Sequence, residues 1–359
     1  MVLKLYFIDP SCDEAVAGSF ESYIHEARYL AKRAAERLQN PKDTDFARVF
    51  NVIFKTPKTD TAKYLGGPSL WQHMREFSED WEPKTVYEQT LFVLIDFATS
   101  WTRTNDREAA HVRIYADHGA RWEINAADST DGYDPVNHLI LTGDFDNLIQ
   151  GQAFTCWMKP KDDTLMSNEN SERTTIDLCS SILDGLIDQE ASAPMSLQDF
   201  TAGRNQQWVA KQGGKINIGD LGEHLLTRII FHEFMHCAEY GLDDAPADAD
   251  SERLTSGWAY CMSLKKKTAS ASAESMAYLA LWAGMAEGGY TMDRRWDAVP
   301  GSNGLPDVGD FSDDELNEDE REKAAEDRKK RENNHKWAED HPHNGCVRGE
   351  MTFYEGLTQ

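Results

Sequence analysis

Residues 221–240 read LGEHLLTRIIFHEFMHCAEY. Leu225, Leu226, Ile229, Ile230 and Phe234 recur at helical spacing, which predicts one helix over about Leu221 to Tyr240 with a wide apolar face. Asp220 is placed to accept from the free amides at its start, Glu223 three residues on completes a capping box, and Gly241 is a natural stop. Near the end of this helix stands His232-Glu233-Phe234-Met235-His236, an H-E-x-x-H motif. Residues four apart share a helix face, so both imidazoles can reach a single ion. Glu233 is rotated about 100° from His232, which leaves it beside that ion and free to touch a bound water. Zinc is the natural ion, because imidazole and carboxylate suit it and hydrolysis needs a coordination position left open. The bland alternative is two core histidines and a surface glutamate, but polar groups in so apolar a helix are costly without partners.

A third protein ligand has to come from downstream. Asp243 and Asp244 follow His236 in the loop that would turn back toward the ion, and Asp244 is the preferred one. Glu274, at the start of an apolar helix expected from about Ala273 to Ala286, is the second candidate, although a first-turn Glu is also favoured by the helix dipole. Asp248, Asp250 and Glu252 complete the set. His224 lies eight residues before His232 on the same predicted helix and reads as surface or as a group behind the ligands, and His341-Pro342-His343 reads as an exposed tail.

Elsewhere the chain predicts an amphipathic helix from Ser19, as N-cap, to Asn40, and a short helix over Phe46 to Phe54. Tyr87 to Trp101 is dense enough in apolar residues to be buried, but its period does not decide helix against strand. Short strands are expected between Val112 and about Phe145, and again at Ala153 to Met158 and Thr175 to Cys179. Asp162 to Arg173 reads as a loop. The fold class is therefore α+β: N-terminal helices, a small mixed sheet, the active-site helix and a helical lower part. The cleft between sheet and lower part would offer an edge strand to an extended peptide. Residues 1–305 form the expected catalytic domain, and 306–359 a charged segment with too few apolar residues for a buried stripe.

The net charge of −25 argues against nucleic acid and anionic membranes as partners. The longest apolar run, Met276 to Ala286, is too short to span a bilayer. Met1 to Pro10 does not read as a secretory signal, which leaves either an intracellular chain or a processed one. The six cysteines include no C-x-x-C pair, so a zinc knuckle or dithiol redox centre is not expected.

The run from His232 to Leu281 resembles the deuterolysin-type fungal metallopeptidases, or aspzincins, which include lysine-specific metalloendopeptidases. Their pattern is H-E-x-x-H, an Asp-bearing loop closing on Tyr-Gly, and then an Asn-Ala-Asp helix start. The matching pieces here are His232 to His236, Asp243-Asp244, Ser256-Gly257-Trp258 and Ser272-Ala273-Glu274-Ser275. Phe7 to Cys12 and Ile176 to Cys179 are also similar to that group. The resemblance implies a zincin-like fold, a bound Zn2+, a peptide or protein substrate and Glu233 as catalytic base. It also implies a phenol that steadies the substrate carbonyl. Ser256 stands where the family has that Tyr, and Tyr260 is the candidate substitute. Glu274 matches one of two acids that accept lysine in the lysine-specific members, but Ala277 falls at the other, so strict lysine preference is not expected. Two other readings stay open: a zincin-fold hydrolase acting on a non-protein amide, and a catalytically inactive interaction protein on the same scaffold.

Overall fold

A computed structural model of the chain describes residues 3–16, 19–40, 42–56, 85–124, 131–137, 139–141, 153–157, 174–179, 196–197, 216–244, 257–292 and 297–300. In chain order its elements are β1 (Lys4–Ile8), α1 (Pro10–Ala15), α2 (Glu21–Leu38), α3 (Thr44–Phe54), α4 (Val86–Ser100), β2 (Trp101–Arg103) and β3 (Val112–Tyr115). Then come α5 (His118–Arg121), β4 (Glu123–Ile124), β5 (Gly132–Asp134), β6 (Leu139–Leu141), β7 (Ala153–Trp157) and β8 (Thr174–Leu178). The last group is β9 (Ile216–Asn217), α6 (Ile218–His224), α7 (Leu226–His236), α8 (Trp258–Ser263), α9 (Lys266–Ser270), α10 (Ala273–Glu287), β10 (Tyr290–Met292) and β11 (Asp297–Pro300).

This is a mixed arrangement of helices and sheet, α+β in general terms. The main sheet has the order β2-β1-β3-β8-β7. Its first four strands run parallel, and β7 closes one edge antiparallel to β8, with Thr155 opposite Ile176. Two three-stranded antiparallel sheets, β4-β5-β6 and β10-β11-β9, stand apart from it in the hydrogen bonding. Strands β7 and β8 match the expected ones closely. The stretch after Tyr87, ambiguous by period, is helical: Thr85 and Glu88 form a reciprocal capping box that starts α4. Its period is weak because it is apolar on nearly every side, with Leu91 and Val93 to Phe97 all buried.

Three local expectations are corrected. Helix α2 begins at Glu21 with Phe20 at the cap position, and Ser19 does not cap it. The single helix expected over Leu221 to Tyr240 is two helices, because Leu225 is extended (φ −79°, ψ 106°). Asp220 therefore lies inside α6, and Leu225 holds the cap position of α7. Finally α7 stops at His236, ahead of Gly241, and Gly241 takes the left-handed conformation (φ 57°) in the turn that follows.

Helix α7 packs on α10, α2 and β7. Phe234, roughly 200° around the helix from His232, sits edge-on to Phe97 and Trp101, each with ring centroids 5.2 Å away, and to Tyr6. That aromatic anchor on the far face turns both motif histidines away from the core. Beyond α7, the Tyr240 hydroxyl donates to Asp96 Oδ2 (2.7 Å) and accepts from Trp101 Nε1 (2.9 Å), while Lys4 pairs with the same carboxylate. The exit of the helix is thereby tied to the first strand. Helix α10 is buried from Ala273 to Met285.

Among the described residues no helix is long and apolar enough to cross a membrane. Cys12, Cys179, Cys237 and Cys261 are buried free thiols. The charged segment 306–359, Asp248, Asp250, Glu252, Ser256, His341, His343 and the side chain of His224 lie outside the described residues.

Candidate metal centre

His232 and His236 occupy successive turns of α7, each 5% exposed, with their rings 4.6 Å apart and nearly perpendicular. Each ring has one nitrogen against the protein. His236 Nδ1 donates to the carbonyl of Leu242 (2.8 Å), and His232 Nδ1 lies 2.8 Å from Glu274 Oε2. His236 Nδ1 is committed to that hydrogen bond and His232 Nδ1 faces the carboxylate as an ion-pair contact, while the two Nε2 atoms face each other at 3.0 Å. Two lone pairs at that separation repel unless a cation lies between them.

Asp244 closes the group. After α7 the chain turns through residues 237–241, and Leu242 N–H returns to the Met235 carbonyl (3.0 Å). Asp243 then pairs by its backbone with the start of α10, donating to Ala271 O and accepting from Ala273 N. This parallel bridge aims the next residue at the histidines. Asp244 Oδ1 is 3.5 Å from His232 Nε2 and Asp244 Oδ2 is 3.3 Å from His236 Nε2. Both oxygens are buried and no other described donor reaches them.

Charge accounts for the titration of the group. Burial pushes both imidazoles down, but Asp244 and Glu274 outweigh it at His232, and Asp244 outweighs it at His236, so both are raised. Burial would lift Asp244, and the two histidines hold it well below the usual carboxylate range instead. In the absence of a metal, protons supply the missing cation.

The donor set fits zinc. Tetrahedral bonds of about 2.0–2.1 Å place donors about 3.3 Å apart; the two Nε2 atoms stand 3.0 Å apart, and each Asp244 oxygen faces one of them, Oδ2 at 3.3 Å and Oδ1 at 3.5 Å. His232, His236 and Asp244 also form a group of potential ligand atoms all within 4.8 Å of one another. The sequence offered the Asp243/Asp244 pair, Glu274, and Asp248, Asp250 or Glu252 for the third position, and of these Asp243, Asp244 and Glu274 are described. Asp244 stands among the Nε2 atoms, and Glu274 stands behind the His232 ring.

Glu233 is 1% exposed, and its Oε2 accepts from Thr155 Oγ1 on the edge strand β7 (2.6 Å). Tyr260, one turn into α8, is buried, and no described group satisfies its hydroxyl. Burial, with Asp244, Cys261 and Glu274 nearby, pushes its pKa up, so it is a neutral phenol with a proton to donate.

Sequence reasoning did not reach Thr155, Arg228 or the Leu242 carbonyl. Arg228 was the one with a visible signal. It stands one turn before His232 in an otherwise apolar run, where a buried guanidinium demands a carboxylate. Strand β7 carries no comparable mark.

A buried cluster of two imidazoles and a carboxylate on one helix and its returning loop defines a candidate divalent-metal protein. No family model, no curated protein and no solved structure matches the chain.

Proposed function

We propose that this chain is a zinc-dependent peptidase of the zincin type, working as an endopeptidase on peptide or protein substrates. The observation that carries the reading is the convergence of His232 Nε2, His236 Nε2 and the unsatisfied Asp244 carboxylate, with Glu233 on the same helix.

His232, His236 and Asp244 would hold the ion. When bound, zinc supplies a Lewis acid that polarises a carbonyl and brings a water's pKa down toward about 7. Glu233 takes the proton of the attacking water and later passes it to the leaving amine. Thr155 keeps one carboxylate oxygen of Glu233 engaged, which holds the group in one orientation through both transfers. The Tyr260 hydroxyl is the donor available to the carbonyl oxygen as charge develops there. An extended peptide adds to the outer edge of β7, which has no described partner strand, beside the helix that carries Glu233.

The test is zinc content combined with peptide-library cleavage on wild type and Glu233→Gln. The variant should keep stoichiometric zinc and lose about 10²–10⁴-fold in kcat. Wild-type cleavage by a zinc-loaded Glu233→Gln protein would refute the assignment. Zinc without peptide cleavage would redirect the reading to a non-protein amide, and purified protein without zinc to a binding role.

A further inference from the structure

Glu274 is 1% exposed and reaches three elements at once. Its Oε1 accepts from the backbone N–H of Gly257 (2.6 Å), the residue that starts α8. Its Oε2 accepts from Arg228 Nη1 (2.5 Å) and lies 2.8 Å from His232 Nδ1. Arg228 is held in turn, since its Nε donates to the Gly222 carbonyl (2.8 Å) and its guanidinium lies 5.3 Å from the Tyr278 ring centre. Arg228 and His232 stand one turn apart on α7, so a single carboxylate oxygen spans both.

We propose that Glu274 and Arg228 are a positioning pair for the candidate metal centre. On this account Glu274 keeps the His232 proton on Nδ1 and the lone pair of Nε2 aimed at the ion, and Arg228 keeps Glu274 in place. Glu274 is then neither a ligand nor an acid that receives substrate. Both of its oxygens are committed, and Arg228 already balances its charge. A carboxylate behind a ligating imidazole fixes the ring's tautomer and orientation and raises its basicity, and such partners commonly govern metal affinity. The Gly257 contact extends the effect. It starts the helix bearing Tyr260, so one side chain sets the positions of a metal ligand and of the phenol together.

The inference rests on reading His232, His236 and Asp244 as the metal ligands, and the experiment keeps the two apart. Zinc affinity of the full-length protein is measured by chelator competition for wild type, His232→Ala, Asp244→Ala and Glu274→Gln. Imidazole nitrogen shifts of the zinc-loaded protein report the tautomer. Zinc binding by His232→Ala and Asp244→Ala at wild-type strength would overturn the ligand assignment and this inference with it. If those two lose zinc, Glu274→Gln should bind it about 10–100-fold more weakly, with the His232 Nδ1 signal displaced and the far-ultraviolet dichroism unchanged. Wild-type affinity in Glu274→Gln would overturn the positioning role alone. Loss as complete as in His232→Ala would also overturn it, by making Glu274 a ligand. Should Glu274→Gln not fold, Arg228→Lys carries the same test, because it keeps the charge but not the planar fork. Several-fold weaker zinc binding supports the pair, and unchanged binding overturns it.

Discussion

At the scale of single residues, Thr155 shows how little of a site such as this one is written in its motif. Its hydroxyl is the described donor within 2.6 Å of Glu233 Oε2, and it comes from a strand far from the motif in sequence. A hydrogen bond to a charged group contributes about 1.5–3 kcal/mol. Thr155→Val keeps the shape and removes the donor, so kcat on a cleaved peptide should fall about 10–100-fold, with KM changed much less. Thr155→Ser should restore most of the loss, and equal rates in Val and wild type would remove Thr155 from the proposed catalytic apparatus. Glu274 supports a second prediction at this scale. Its oxygens are engaged by Gly257 and Arg228, and its pKa is held down to about 2, chiefly by Arg228 against the effect of burial. Its negative charge is already balanced by Arg228, so peptide-library cleavage should show no strict lysine preference. A sharp requirement for lysine would contradict that arrangement.

At the scale of elements, the pattern of α7 was legible and its boundaries were not. The 3.6-residue period runs unbroken through Leu225, Leu226, Ile229 and Ile230, since all four face the core on either side of the break. The break itself depends on contacts far away in sequence. The Gly222 carbonyl accepts from Arg228 Nε and from Leu225 N, which leaves it no role in a continuous ladder. A side chain at Gly222 would also press into Tyr278, since a Cβ there would stand 2.6 Å from the ring. Gly222→Ala should therefore cost about 1–3 kcal/mol of stability as overpacking, read as a lower denaturant midpoint at constant slope. An unchanged midpoint would mean that the ring yields freely. Phe234→Ala should cost more, about 3–5 kcal/mol, because Phe97, Trp101 and Tyr6 lose their common partner on the face opposite the histidines. The same logic explains what composition could not settle. The period of α4 fails because the helix is buried nearly all round. The loop after Gly241 cannot be read to a single Asp because the Asp243–Ser272 bridge, a non-local pairing, determines which one points at the histidines. The two His and the Glu of the motif were accessible because their geometry is internal to one helix.

At the scale of the whole molecule, the centre joins the sheet side and the helical side of the protein, so its occupancy should govern global stability. Helix α7 packs on β7 and on α2 and α10, and Asp244 comes from the loop pinned to the start of α10. Zinc at one hundred times its dissociation constant would stabilise the native state by about 2.7 kcal/mol, and a chelator should remove that gain. The pH dependence has a definite sign. In the metal-free protein His232 and His236 are raised above the ordinary imidazole value of 6.5. Their protonation therefore contributes stability that is complete below that value and is lost as pH rises through the raised folded pKa values. Asp244 is depressed and remains ionised over this range. Zinc requires both imidazoles neutral, so it must displace these protons, and its apparent affinity weakens as pH falls. These are one proton–zinc competition seen from its two sides. The difference in melting temperature between zinc-loaded and chelator-treated protein should be small near about pH 5 and widen toward about pH 9, and zinc binding near neutrality should release protons that buffer-dependent calorimetry can count. A melting-temperature gap that stayed constant across this range, or binding without proton release, would mean that the ion does not compete for the two Nε2 atoms and sits somewhere else in the molecule.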